Sequence, residues 1–342
     1  MPRAAVVSYR LGGTDGVSVE AAKWCDAMRR LGLDVWTVAG AGPVDVAVPG
    51  LAIDAASAPA RSDLVSALDG ADVVVVENVA SLPLNPAARE ALYPVLEGRR
   101  SVFRHHDLPW QRPHLSHLDG PRPHGSWRHV TINELSRREL AARGVEAVTM
   151  WNTFDCDPPA GDRDGTRDDL GVGDEPVALL AGRALARKNL PGAIDLARSL
   201  GATLWILGPA EDGYEGRLAD LLAGARVEVR RGLPPGRSIH DAYAACDVVV
   251  LSSTWEGFGN PMIESVTHRR PLALHAYPVA REIIDVGFTF FALDDVDGLR
   301  RFLDAPDVQV LEGNLALARQ HFNLAHLPER LARVLDLEWP TG

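Results

Sequence analysis

Apolar and polar positions along the chain follow two alternating rhythms. Short runs such as Val73-Val74-Val75-Val76 and Val248-Val249-Val250-Leu251 are apolar at every position. Runs of that length with no polar face read as strands buried on both sides, as in a parallel sheet. Between them, apolar residues recur every three or four positions, the spacing of amphipathic helices. In the first half this predicts strands over 4–9, 35–39, 73–77, 101–104, 130–133 and 148–151, with a helix over 17–31. The second half predicts strands over 177–181, 203–207, 227–230, 248–251 and 271–274. Its helices are expected over 190–200, 216–223, 239–244 and 261–267, and a terminal helix around 327–335. A Pro-, Asp- and Gly-rich stretch over 156–174 reads as a linker. Strands alternating with helices on both sides of it predict two doubly wound α/β domains, over 1–155 and 175–320, with 321–342 as a closing segment.

Composition narrows the class. A chain of 342 residues, 46% hydrophobic and 24% charged, is long enough for two globular cores. No run approaches the roughly 18 apolar residues that span a bilayer, and the opening apolar stretch reaches Gly12 too soon for a signal peptide. Cys25, Cys156 and Cys246 are scattered and odd in number, so neither a disulfide framework nor a metal cluster is expected, and a reducing cytoplasm is. The net charge of −11 argues against nucleic acid as a partner. Of 35 basic residues only Lys23 and Lys188 are lysines. In so arginine-rich a chain, the compact ammonium of Lys188 is a pointed choice for a phosphate contact.

The densest chemistry lies in Glu256-Gly257-Phe258-Gly259-Asn260-Pro261-Met262-Ile263-Glu264, which follows a predicted strand and leads into a predicted helix. Backbone N–H groups at such a corner suit phosphate, and the two carboxylates suit sugar hydroxyls. A glycine-rich corner with a dipole-favoured Glu264 is the plainer reading, and it accounts for Glu264 but not for the whole string.

That string resembles the E-G-F-G-x-P-x-x-E motif of family-4 retaining glycosyltransferases. Other segments match in order: Leu11-Gly12-Gly13 resembles the first glycine loop, Gly182-Arg183 through Lys188-Asn189 the donor-phosphate motif, and Leu207-Gly208-Pro209 the glycine that follows it. The resemblance implies the GT-B fold, two Rossmann-like domains facing across a cleft, with the closing helix of 321–342 packing back on the first domain. It also implies that Arg183 and Lys188 neutralise the departing diphosphate, that Glu256 contacts the donor sugar, and that Glu264 holds the ribose. Gly12, Gly13, Gly182, Asn189, Gly208, Gly257, Phe258, Gly259 and Asn260 would complete the donor site. The family's strand-end histidine falls on His105 or His106, and the neighbouring Asp107 favours His106. The string Trp151-Asn152-Thr153-Phe154-Asp155 departs from the family's P-N-G-V-D and is expected to serve as a hinge. Thr267-His268-Arg269-Arg270-Pro271 departs from the family's glycine turn.

The implied enzyme is a metal-independent retaining hexosyltransferase that uses a UDP- or GDP-sugar as co-substrate and no other cofactor. Its acceptor is a small molecule, a glycan or a lipid, with membrane contact at most peripheral. Residues 99–143 hold nine arginines against four acids, which suggests an anionic acceptor, contact with a negative membrane surface, or a set of dispersed salt bridges. Alternatives are a sugar-nucleotide epimerase on the same fold and a non-catalytic nucleotide-sugar-binding partner of another transferase.

Overall fold

The computed structural model describes residues 1–336 apart from Thr14 and Asp212. The chain forms two compact units, Met1–Asn152 joined by the stretch from Leu324, and Thr153–Asn323.

The first unit runs β1 (Arg3–Arg10), α1 (Gly16–Arg30), β2 (Asp34–Ala41), β3 (Val46–Ala47), α2 (Arg61–Ala67) and β4 (Val73–Glu77). It continues through α3 (Pro86–Leu96), β5 (Ser101–His105), β6 (Trp127–Thr131), α4 (Glu134–Ala141) and β7 (Ala147–Thr149). Its seven strands, all parallel, lie in the order β3-β2-β1-β4-β5-β6-β7. Side chains alternate across the sheet. Ala4, Val6, Val73 and Val75 pack on one face with Trp24 and Met28 of α1. Ala5, Val7, Val74 and Val76 pack on the other with Leu64 of α2 and Leu92 of α3. Both faces are covered by helices, which is why these strands carry no polar face.

The second unit comprises α5 (Arg163–Leu170), β8 (Val177–Leu180), α6 (Leu190–Leu200), β9 (Thr203–Ile206), α7 (Glu215–Ala223), β10 (Val229–Arg231) and α8 (Ile239–Ala245). There follow β11 (Val248–Leu251), α9 (Pro261–Thr267), β12 (Leu272–Leu274), α10 (Pro278–Ile284), β13 (Phe291–Ala292), α11 (Val296–Asp304) and α12 (Val308–His321). Its six parallel strands take the order β10-β9-β8-β11-β12-β13. After Asn323 the chain re-enters the first unit, where α13 (Leu327–Val334) buries Leu327 and Leu331 in the cluster formed by α1. Arg128 donates to the Val334 carbonyl at 2.9 Å and pairs with Asp336, covering the end of that helix.

Three expectations need correction. The stretch 156–174 is not a free linker, because α5 lies inside it and belongs to the second unit. Arg163 bonds Asp247 at 2.6 Å, and Arg167 bonds the same carboxylate at 3.1 Å. The strand expected over 130–133 begins earlier, because Trp127 stacks on Tyr93, and ends before Asn133, whose side chain caps α4. The strand expected over 148–151 is β7, two residues shorter at its end.

Candidate active site

In each unit the strand order reverses direction once, between β1 and β4 and between β8 and β11. Open parallel sheets bind ligands beyond the carboxyl ends of the strands at such a point. The expected residues of the second unit gather there. Gly182 and Arg183 follow β8, and a 3₁₀ turn, Ala186–Lys188, presents Lys188. The Lys188 ammonium meets Glu256 at 2.5 Å, and Arg187 reaches the same carboxylate at 3.5 Å. Ser253 donates to the Glu256 Oε1 at 2.7 Å. Ser252 donates to the Lys188 carbonyl at 2.6 Å, and the Thr254 N–H to that of Arg187 at 2.8 Å, so the two loops are stitched together. Burial pushes the Glu256 carboxyl up, but Lys188 and Arg187 outweigh it and hold the group below the usual carboxylate range. Arg183 is half-buried and paired with Glu211 at 2.5 Å.

Two buried tyrosines that sequence reasoning missed hold the signature loop. The Tyr243 hydroxyl donates to Glu264 Oε2 at 2.7 Å, and the Tyr277 hydroxyl donates to the Phe258 carbonyl at 3.0 Å. Gly259 sits at φ +97, and a Cβ there would come within 2.1 Å of the Tyr277 oxygen. No side chain fits that position, so the glycine is required by packing as well as by backbone. Gly208 is required by close approach alone, since a Cβ would lie 2.6 Å from the Arg183 backbone. The Phe258 ring is buried between Phe154 and Phe322, so its side chain is turned into the core. Asn189 occupies a left-handed turn at the start of α6, Asn260 is the N-cap of α9, and Gly257 lies in the loop between Glu256 and Phe258.

In the first unit, Gly12 and Gly13 form the turn after β1. His105 and His106 lie at the end of β5 and differ in what they face. His105 is fully buried, with Nε2 2.9 Å from His129 Nδ1 and the two rings stacked. His106 Nε2 lies 2.7 Å from Glu77 Oε2. Glu77 ends β4, a strand with no solvent-exposed residue, and Arg104 Nη1 approaches its other oxygen at 3.4 Å. Burial pushes Glu77 up, and Arg104 with His106 brings it below the ordinary range. Arg104 also bonds Glu20 at 3.0 Å and Asn152 at 3.1 Å, and it lies 4.4 Å over the Trp24 ring. Lys23 closes the cluster on Glu20 at 2.6 Å. The expected hinge residue Asn152 is therefore tied to the first unit. The available signal for Glu77 was a single acid ending an apolar strand, since a buried carboxylate requires partners.

The basic segment 99–143 is not a free cationic patch. Arg112 pairs with Asp107, Arg122 with Glu90, Arg137 with Glu134, and Arg100 and Arg128 with Asp336. Arg99 donates to the Leu68 carbonyl, and Arg143 lies over Trp110. A cavity of about 930 Å³ in the second unit runs along α6, α10 and β13, and none of the expected donor residues lines it. Among the described residues no group of three His, Cys, Asp or Glu is placed to hold a metal ion, and no helix is long and apolar enough to cross a membrane.

Residues 162–301 match the family model of glycosyl transferases group 1. The chain is 26% identical to the mannosylglucosylglycerate synthase of Petrotoga mobilis over 84% of its length and 86% of that protein. It is 25% identical to the synthase of the same name from Thermotoga maritima over 96% of its length and 98% of that protein. Anabaena HepE, crystallised with UDP and glucose, superposes with a TM-score of 0.76 at 17% identity, covering 98% of this chain and all of HepE. The fold is therefore that of the GT-B glycosyltransferases, with one Rossmann-like sheet in each unit.

Proposed function

We propose that this chain transfers a hexosyl group from a nucleotide-diphosphate sugar to a hydroxyl acceptor, with retention at the anomeric carbon and without a metal ion. The observation that carries this reading is the meeting of Lys188, Arg187 and Glu256 at the reversal between β8 and β11. Lys188 has three N–H donors and Glu256 Oε1 engages one, so a diphosphate can share the ammonium without breaking the pair. Arg183, now paired with Glu211, is read as a further cation for the same diphosphate. Fixed cations at the site where negative charge builds on the leaving group are the chief means of lowering such a barrier. In this reading Glu264, steadied by Tyr243, serves as a ribose ligand, and Glu256 accepts hydrogen bonds from sugar hydroxyls.

The relatives supply the first compounds to test. HepE was crystallised with UDP and glucose, and the two synthases are named for a product that joins mannose, glucose and glycerate. UDP-glucose and GDP-mannose are the donors to try, with glucosylated glycerate as the acceptor. A carboxylate-bearing acceptor agrees with an anionic partner, although paired arginines mean that its contact is local. Thermal shifts with UDP, GDP, ADP and dTDP come first, because a ligand that binds only the folded chain raises its melting temperature. Stabilisation by one nucleotide, unchanged by EDTA, followed by an α-linked product by NMR, is the expected result. No shift at millimolar nucleotide would sink the donor assignment, and activity abolished by EDTA would sink metal independence.

A further inference from the structure

We propose that Glu77 and Asn78, at the end of β4, are positioning residues that fix the ring and the backbone of His106. The hold is double. Glu77 Oε2 lies 2.7 Å from His106 Nε2, while Asn78 Oδ1 accepts from the His106 N–H at 3.1 Å. The same Asn78 oxygen accepts from Ser81 Oγ at 3.0 Å and from the Asp107 N–H at 3.4 Å. Asn78 reaches them by adopting φ 64, a left-handed conformation that few non-glycine residues hold without a surrounding network to maintain it.

The chemistry sets the tautomer. An ionised carboxylate can only accept, so in the neutral ring Nε2 carries the proton and Nδ1 keeps its lone pair. Glu77 engages Nε2, which leaves Nδ1 as the ring atom that accepts from a ligand hydroxyl. Glu77 acts one bond removed from the ligand, with Arg104 keeping its charge in place.

The role in turnover rests on the transferase reading, whereas the tautomer does not. The first test is ¹⁵N NMR of the full chain with labelled histidine, with His106 assigned by its loss in His106→Gln. A protonated Nε2 and a bare Nδ1 are expected, and a protonated Nδ1 would overturn the assignment even if no substrate were known. The second test is Glu77→Gln, whose amide can also donate to Nε2. It should shift the tautomer balance and cut kcat by about 10²-fold through misplacement of the ring, with nucleotide affinity unchanged. Unchanged kcat in folded Glu77→Gln, or an equal loss of nucleotide binding, counts against the proposal. Should that variant not fold, Asn78→Gly tolerates the left-handed φ and removes the acceptor shared by His106, Asp107 and Ser81. It should lower kcat by about tenfold, the worth of the bond to the His106 N–H alone, or more, and unchanged kcat would again overturn the proposal. Absence of transfer with every donor, together with the expected tautomer, would sink the function and leave the positioning intact.

Discussion

Removing Lys188 leaves Glu256 as a buried carboxylate with Arg187, at 3.5 Å, as its remaining cation. Breaking such a pair from one side costs more than the pair contributes, because the other charge stays desolvated. Lys188→Ala should therefore destabilise the chain by about 2–4 kcal/mol in urea titrations, besides abolishing turnover. Glu256→Gln in that background should recover much of the loss, and a further drop would show that Glu256 is not the stranded group. Tyr243→Phe tests the neighbouring contact. Loss of its bond to Glu264 should weaken nucleotide binding by about tenfold in calorimetry, the worth of one bond to a charged group. Unaltered affinity would mean that Tyr243 is only packing. Lys188 was legible from its rarity and its place in a motif. Tyr243, Tyr277 and Glu77 were not, because each acts through a neighbour distant in sequence, and only the fold makes them adjacent.

At the scale of elements, the alternating rhythm revealed the strands, while composition misled at α5. Its segment reads Asp-Arg-Asp-Gly-Thr-Arg-Asp-Asp-Leu-Gly, polar enough to pass for a linker. Its helical signals were nonetheless present: Asp162 caps the start, Gly171 ends it at φ 63, and two arginines four residues apart share a face. What could not be read is their common target, Asp247, which also accepts from the Val177 N–H at 2.8 Å. Helix α13 makes the converse case, since the resemblance led to the expectation that it packs back on the first domain, while its particular partners on α1 could not be read. Leu331 is fully buried beside α1, so Leu331→Ala should cost about 2–5 kcal/mol. Hydrogen exchange should quicken in α1 and β1 while β8 and β11 stay protected. Equal quickening in both sheets would show that the two units do not open separately.

For the molecule as a whole, acid is the condition that both units are built to resist poorly. His129 in the first unit and His268 in the second are each lowered from 6.5 to about 4, chiefly because burial disfavours the charged ring. Burial lowers His105, stacked on His129, as well. Between pH 6.5 and 4 the unfolded chain binds protons that the folded chain refuses, so stability falls as pH falls. Each proton contributes about 1.4 kcal/mol per pH unit across that window. Glu77 and Glu256 act in the same direction lower down, because carboxyls held below the ordinary range lose their stabilisation only once the pH drops through their folded values. The neighbours make the histidine effect local: His129 lies against His105 and Phe103, and His268 against His240 and Tyr243. Melting temperature should therefore decline from pH 6.5 downward, well before carboxylates titrate, and His129→Phe should flatten that decline for the first unit alone. A flat profile between pH 6.5 and 5 would mean that these rings reach water in the folded chain. In that case the buried stacking of His105 on His129 would be wrong as well.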